Sequence, residues 1–336
     1  MNRPTPNLIV DSLPTPVFDA YWRFAAERQA IYWQRSAGIP PPWSQDSVLA
    51  AYRFTNAYRA LDRVSQFLLS QVIYVGDQNP DEVMLRILLF KVFNKIETWN
   101  LLVAAVGIPA SHNFSVDNYR EIFRGAVSAG KKLYSAAYIM PPVDRHSREP
   151  KCVQHLRLVE NMVMSGLARA VSGTGSLEEL VQVLWGYQSI GPFLGYQYAI
   201  DLNYSGLVDF SEMDYVIAGP GALRGLMRCF QTPRSSPAEL IRAVCDAQEG
   251  EFERRGLRFR DLYGRRLQLV DCQNLFCEID KYSRVAYPNS VDLRTGARPK
   301  QRFRPSGPVE KPFLPPKWGL NTLMVGDAEL AQVFSS

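Results

Sequence analysis

The stretch NPDEVMLRILLFKVFNKIETWNLLVAAVG limits the fold more than any other part of the chain. It is apolar nearly all round at helical spacing, Pro80 with Asp81 and Glu82 marks a first turn, and Gly107 follows the last periodic residue. A helix without a polar face belongs among other helices, and Arg86, Lys91, Asn94 and Glu97 on it must reach an edge or find partners. The same period recurs along the sequence. VFDAYWRFAAERQAIYWQRS, residues 17–36, reads as one helix stopped by GIPPPW, and a second runs from about Ser47 to Tyr74 with Phe54, Ala57, Leu61, Val64 and Leu68 as its core stripe. SVDNYREIFRGAVSAG and EPKCVQHLRLVENMVMSGLARAVSG are further helices, and SLEELVQVLWGYQSIGPFLGYQYAIDL is a pair broken near Gly191 and Pro192. No internal repeat or strand alternation stands out, so the expected class is mainly α. The expected organisation is an N-terminal extension (1–16), a helical catalytic domain (17–290, divisible into lobes 17–175 and 176–290) and a basic, proline-rich C-terminal arm (291–336).

The residue content closes several function classes. With 38 Lys and Arg against 33 Asp and Glu, the 336 residues carry a formal charge of +5, which permits a nucleic-acid partner without requiring one. The start, MNRPTPNLIVDSLPTP, lacks the basic head and apolar run of a signal peptide, and nowhere do about eighteen apolar residues run together to cross a membrane. A cytoplasmic location is expected. Five scattered cysteines, Cys152, Cys229, Cys245, Cys272 and Cys277, fit reduced thiols better than a disulfide framework. The three histidines form no HExxH pattern and Cys272 with Cys277 lacks a second pair, so no metal is expected. Glycine-rich SGTGSLEEL and AGPGALRG do not match the GxxxxGK[ST] phosphate loop, which argues against a kinase reaction by this chain. No cofactor is expected, and the chain is expected to be a monomer.

Three stretches hold polar groups where a plain helical core would not. On the helix expected from Ser47 to Tyr74, the residues Thr55, Arg59, Asp62 and Gln66 fall within roughly 60° of one another, with Asn56 and Arg63 beside them. That face is either solvated, with an ordinary Arg59–Asp62 pair, or a pocket. Short and fork-shaped groups suit fixed hydrogen bonds, which keeps the pocket as a candidate. FSEMDYVIAGPGALRGLMRCF reads as helix, tight turn and helix, a hairpin that can aim the amides of its second helix at a phosphate; a glycine-capped corner is the alternative. In LQLVDCQNLFCEIDKYSR, Asp271 opens a helix whose Leu275, Glu278 and Tyr282 share its face within about 40°. On the residues alone, Asp271 can cap the helix by accepting the amides of Gln273 or Asn274. After Pro288, DLRTGARPKQRFRPSGPVEKPFLPPKW reads as a basic arm laid along a polyanion or, for most of it, a solvated tail.

At YRFTNAYRALDRVSQFL, LLFKVFNKIETW, LGYQYAIDLNYS, AGPGALRG and LQLVDCQNLFCEIDKYSR the chain resembles a family that joins two groups of proteins. One is the helical domain of hydroxymethyluracil DNA kinases, the other the alpha-glutamyl/putrescinyl-thymine pyrophosphorylases, and the match spans about residues 20 to 305. The resemblance implies action on modified pyrimidines in DNA, in the setting of hypermodified bacteriophage genomes and the conflict between phage and host. A looser likeness of fold is to helix-hairpin-helix DNA glycosylases, through a helix with LGYQYA, a PG turn and an Asp opening a later helix. It implies a two-lobed helical domain with that arrangement, in which Gly219, Pro220, Gly221, Ala222 and Arg224 grip the DNA backbone. Lys281, Arg284, Lys300, Arg302 and Arg304 are the further DNA contacts. Asp271 becomes the catalytic carboxylate, and Thr55, Asn56, Arg59, Asp62, Gln66, Tyr196, Gln197, Asn274 and Glu278 the base pocket.

The chain departs from that pattern in three ways. Its hairpin-to-Asp separation is much longer and filled by a charged excursion, no cysteine set matches an iron–sulfur cluster, and Leu223 and Arg224 stand where bifunctional enzymes place a Lys. Excision would therefore proceed without a Schiff base. The expected function is a monofunctional DNA glycosylase that flips a hypermodified pyrimidine of phage DNA and cuts its N-glycosidic bond, leaving an abasic site, in anti-phage defence. One alternative is a thymine-hypermodification enzyme that displaces pyrophosphate from pyrophosphomethyluracil with an amine or amino acid, Arg59 and Arg63 holding the leaving group. The other is a modified-DNA binding module without catalysis.

Overall fold

The computed structural model describes residues 13–136, 140–288, 301–304 and 309–323, and among them the chain is mainly helical. Two units interleave in sequence. One is Met1–Asp62 with Tyr215–Pro312, the other Arg63–Asp214 with Phe313–Ser336. The division therefore differs from the expected consecutive lobes at 17–175 and 176–290: the chain leaves the first unit after Asp62 and returns to it at Tyr215.

In the first unit, α1 (Pro16–Ser36) opens on a proline, tolerated there because its missing N–H has no intrahelical acceptor, and Thr15 caps it by accepting the Val17 amide. Its inner face buries Phe18, Tyr21, Trp22 and Phe24. α2 (Ser47–Ala51) is short, and the long helix expected to reach Tyr74 stops with it. Residues 52–58 are not helical, and a single 3-10 turn, Arg59–Leu61, follows. The cause is polar competition for the backbone. Arg28 takes the Thr55 carbonyl at 3.0 Å, the Asn56 side chain donates to the Leu61 carbonyl at 2.7 Å, and Asp62 Oδ1 accepts the Asn56 amide at 2.8 Å.

The second unit starts with α3 (Arg63–Leu68), which passes into a π turn over Leu69–Ile73. Next come α4 (Pro80–Phe93), α5 (Ile96–Val106), α6 (Val116–Ser128), α7 (Lys151–Met164), α8 (Leu167–Ser172), α9 (Leu177–Trp185) and α10 (Pro192–Asn203). α4 is the centre of this unit: every residue from Val83 to Phe93 is buried, and α5, α7, α8 and α10 pack on it. The expected single helix up to Gly107 is two, because Asn94 adopts a left-handed φ of 47°, a conformation asparagine tolerates better than most residues. Both buried cations of α4 find partners. Lys91 Nζ lies 2.6 Å from Asp201, and Arg86 donates to the carbonyls of Val72 and Asp77 at 2.9 and 2.7 Å.

The chain re-enters the first unit through α11 (Pro220–Cys229), α12 (Pro237–Asp246), α13 (Gln248–Arg254) and α14 (Leu269–Ala286). α14 is its axis, touched by α1, α2, α11 and α12. A two-residue ribbon, β1 (Leu13–Pro14) antiparallel to β2 (Phe230–Gln231), closes one end with Leu13 opposite Gln231 and Pro14 opposite Phe230.

The expected helix-hairpin-helix does not form. Residues 210–219 contain no helix, since the Asn203 side chain holds both backbone groups of Phe210 at 2.9 Å and a turn at Ser211–Asp214 follows. Gly219 is the extended residue before α11, and Pro220 its first helical residue. The following glycines serve packing: a Cβ on Gly225 would overlap the Phe276 carbonyl and one on Gly221 the Cys277 sulfur. Small residues at i and i+4 let α11 lie almost backbone to backbone on α14.

The solvated tail is corrected where the arm is described. The Phe303 amide donates to Ala51 and the Arg53 amide to Gln301, both at 2.9 Å, which lays 301–304 antiparallel to 51–53 in the first unit. Within the second unit, Gln66 pairs with both backbone groups of Phe313 at 2.8 and 3.2 Å, and Leu314 is fully buried.

Candidate functional site

The polar residues of the segment 52–62 meet those of α14 at two places, Thr55 and Asn56 near Arg28 and Glu278, and Arg59 at Asp271. Glu278 Oε2 accepts the Thr55 amide at 3.1 Å, and its other oxygen accepts Lys281 Nζ at 2.8 Å. Arg28 Nη2 donates to Asn56 Oδ1 at 2.7 Å. Asp271 Oδ1 accepts the Arg59 amide at 2.7 Å, and Oδ2 accepts the Gln268 amide at 3.0 Å. With Gln268 returning a bond to the third helical position, Gln268 and Asp271 make a capping box at the start of α14. Asp271 is 3% exposed. The amides it caps are those of Gln268 and Arg59, one of them far away in sequence, rather than those of Gln273 or Asn274.

Thr55, Asn56, Asp62 and Glu278 thus gather beside Arg28, while Arg59 meets Asp271 about two turns away at the start of α14, although the helical wheel that first grouped four of them does not exist. Burial lowers Arg28 to about 10, against the opposing pull of Asp62 and Glu278. Burial alone would lower Lys281 as well, but the Glu278 carboxylate beside it raises the ammonium on balance. Tyr58 is pushed up by burial first and by the Asp271 charge second. The acids at both places are held by N–H donors. Thr55 Oγ1 is buried with no hydrogen-bond partner among the described residues.

Other expected site residues stand apart. Gln66, Tyr196 and Gln197 belong to the second unit, where Tyr196 is fully buried and Gln197 nearly so. Asn274 is half-buried on α14. Arg302 bridges to Tyr52 with its guanidinium 4.8 Å from the ring centre, Arg304 is exposed, and Lys300 lies outside the described residues. Gly219 and Ala222 are buried and Gly221 sits against α14, while Pro220 is exposed. Arg224 and Arg284 meet at the fully buried carboxylate of Asp280, joined by Arg228. Sequence reasoning missed Arg28 and Arg228. Arg228 was findable as the residue one turn after Arg224, and Arg28 as a guanidinium in a run of buried aromatic neighbours.

Cavities of about 400 Å³, lined by Lys95, Thr98, Lys131, Lys132 and their neighbours, and about 520 Å³, lined by residues from Trp185 to Gly191, lie in the second unit; Asp271 lines neither. Among the described residues no three His, Cys, Asp or Glu gather to hold a metal, and none of the five cysteines is in a disulfide. No helix among them is long and apolar enough to cross a membrane.

The family model described as "5-hmdU DNA kinase, helical domain" matches residues 15–292. The chain belongs to this family. A relative named "5-hmdU DNA kinase", from Bacillus phage SP10, is 25% identical over 310 residues, which cover 85% of this chain and 48% of the relative. The chain therefore spans about half the length of that curated relative. No solved structure matches the chain. The family corrects the expected chemistry. A kinase transfers a phosphoryl group, so the relative's name points to a transferase, and hydrolysis of an N-glycosidic bond loses its ground along with the hairpin that suggested it.

Proposed function

We propose that the chain acts in the hypermodification of thymine-like bases in DNA, by group transfer at the substituent on C5 of a modified pyrimidine. The family match over residues 15–292 supports this reading, since the family is named for the helical domain of a 5-hmdU DNA kinase. The step favoured is displacement of pyrophosphate from pyrophosphomethyluracil by an amine or amino acid. The methylene C–O bond breaks and pyrophosphate leaves with the electron pair, while a C–N bond forms and the incoming nitrogen gives up a proton to a carboxylate or to water. The sequence has no GxxxxGK[ST] loop, which favours this step over phosphoryl transfer from a nucleotide within the chain. Arginine forks suit the leaving group, because they meet phosphate oxygens in pairs.

The test is to incubate the protein with DNA bearing pyrophosphomethyluracil and a panel of amines and amino acids, then digest to nucleosides and weigh them. A nucleoside heavier by the amine and lighter by pyrophosphate is the expected product; unchanged nucleosides throughout would refute the transfer. A second reading, recognition of modified DNA without chemistry, is favoured by the saturation of Asp271 and Glu278 with N–H donors. It predicts unchanged nucleosides with tighter retention of modified than of unmodified duplex.

A further inference from the structure

α11 places Arg224 and Arg228 one turn apart, and α14 places Asp280 and Arg284 one turn apart. Three guanidinium groups converge on the single carboxylate. Arg228 Nε lies 2.7 Å from Asp280 Oδ1, Arg224 Nε 3.1 Å from Oδ2, and Arg284 Nη2 2.6 Å from Oδ2. Leaving Arg284 out of the count, the two arginines of α11 outnumber the one carboxylate they share. The excess charge is not all in water. The Arg228 side chain is 8% exposed, and its Nη1 is buried with no acceptor among the described residues. Arg224, at 37%, opens the cluster to solvent.

Crowding like charges in partly buried surroundings is unfavourable unless an anion joins them. The glycines at 221 and 225 are what allow it, since they bring α11 close enough for its arginines to reach across to Asp280. The carboxylate then holds the forks in place without cancelling their charge. Phosphate oxygens match such forks, each accepting paired N–H bonds.

We propose that Arg224, Arg228 and Arg284, held by Asp280, form a binding site for a phosphate group. That group is either a phosphodiester of a DNA backbone or a free phosphate or pyrophosphate. The site stands on its charge geometry and holds for either reading of the chemistry at the base. Binding and product formation are measured separately, so either idea can fail alone.

Inorganic pyrophosphate and an unmodified short duplex oligonucleotide are the two probes, the first followed by the shift in melting temperature and the second by fluorescence anisotropy across a salt series. The wild-type chain is expected to bind at least one. Arg228→Gln should weaken that probe about tenfold or more, and Arg224→Gln, exposed enough to leave folding intact, several-fold. If the site holds DNA backbone, the slope of log affinity against log salt falls by roughly one in Arg224→Gln, and pyrophosphate competes only weakly. If it holds free pyrophosphate, the melting shift is lost in Arg224→Gln while duplex affinity is unchanged. Wild-type protein that binds neither probe, or Arg224→Gln and Arg228→Gln proteins that bind both as the wild type does, would overturn the proposal.

Discussion

The two units handle buried charge in opposite ways. In the second unit each buried cation of α4 is closed locally: Lys91 has Asp201 at 2.6 Å, and Arg86 is spent on backbone carbonyls. In the first unit the charges are uneven. Three arginines lean on Asp280, while Asp271 and Glu278 accept backbone amides. A balanced buried pair asks for nothing further from its surroundings, whereas an unbalanced one leaves a field that a ligand can complete. The contrast teaches that the buried cations of α4 are spent on the second unit's own structure, and it supports the proposed phosphate site at Asp280 in the first.

The largest test of that contrast is Lys91→Met. It should destabilise the protein by about 3 to 5 kcal/mol, because Asp201 is left buried without its ammonium, and a urea titration would read it. Adding Asp201→Leu should restore most of the loss. A single variant with unchanged stability would mean that the pair is not closed, and the contrast would break.

His155, fully buried in the second unit, gives a pH window. Burial lowers it from 6.5 to about 4, with Tyr134 at Nδ1 and the Pro141 carbonyl at Nε2. The folded state resists the proton that the unfolded chain accepts, so the unfolded chain binds more protons as pH drops below 6.5. Stability should be full above that value and fall by on the order of 3 kcal/mol as pH passes down through about 4. Chemical denaturation at stepped pH measures it, and His155→Gln should remove that part of the slope.

What the sequence made legible was local. The limits of α6 and α9 follow from their serine caps, Ser115 and Ser176, and the apolar surround of α4 placed it at a centre. What it hid was decided at long range. The helix expected through residue 55 fails because Arg28 takes the Thr55 carbonyl, and nothing between Ser47 and Tyr74 announces that arginine. AGPGALRG misled for a related reason: glycines serve a phosphate-facing turn or a close helix crossing equally well, and only the position of Phe276 decides between them. Thr55, Asn56, Arg59 and Asp62 were grouped on a wheel that does not exist, yet Thr55, Asn56 and Asp62 do meet, because the polar groups that suggested a pocket are those that broke the helix.

Gly225→Ala sharpens the first unit's side of the contrast. The added carbon overlaps the Phe276 carbonyl, backbone that cannot swing away, so α11 must lift from α14 at a cost of about 1 to 3 kcal/mol. The same variant should pull Arg224 and Arg228 from Asp280 and weaken phosphate binding, read by thermal melting with and without pyrophosphate. A loss of stability without a loss of binding would detach the glycine crossing from the arginine cluster.

The smallest effect concerns Asp271, where the capping and catalytic roles part company. Asp271→Asn keeps one carbonyl oxygen for the Arg59 amide but turns an N–H toward the Gln268 amide, replacing an acceptor with a donor at a buried helix start. The expected cost is about 1 kcal/mol, the size of a lost cap, and the melting temperature should fall with it. In any turnover assay at a temperature well below the melt, a capping residue leaves the rate near that of the wild type, since α14 remains packed by α1, α2, α11 and α12. The opposite result, an unmoved melt with turnover abolished, would make Asp271 a catalytic residue and put the chemistry at the start of α14, apart from the arginine cluster.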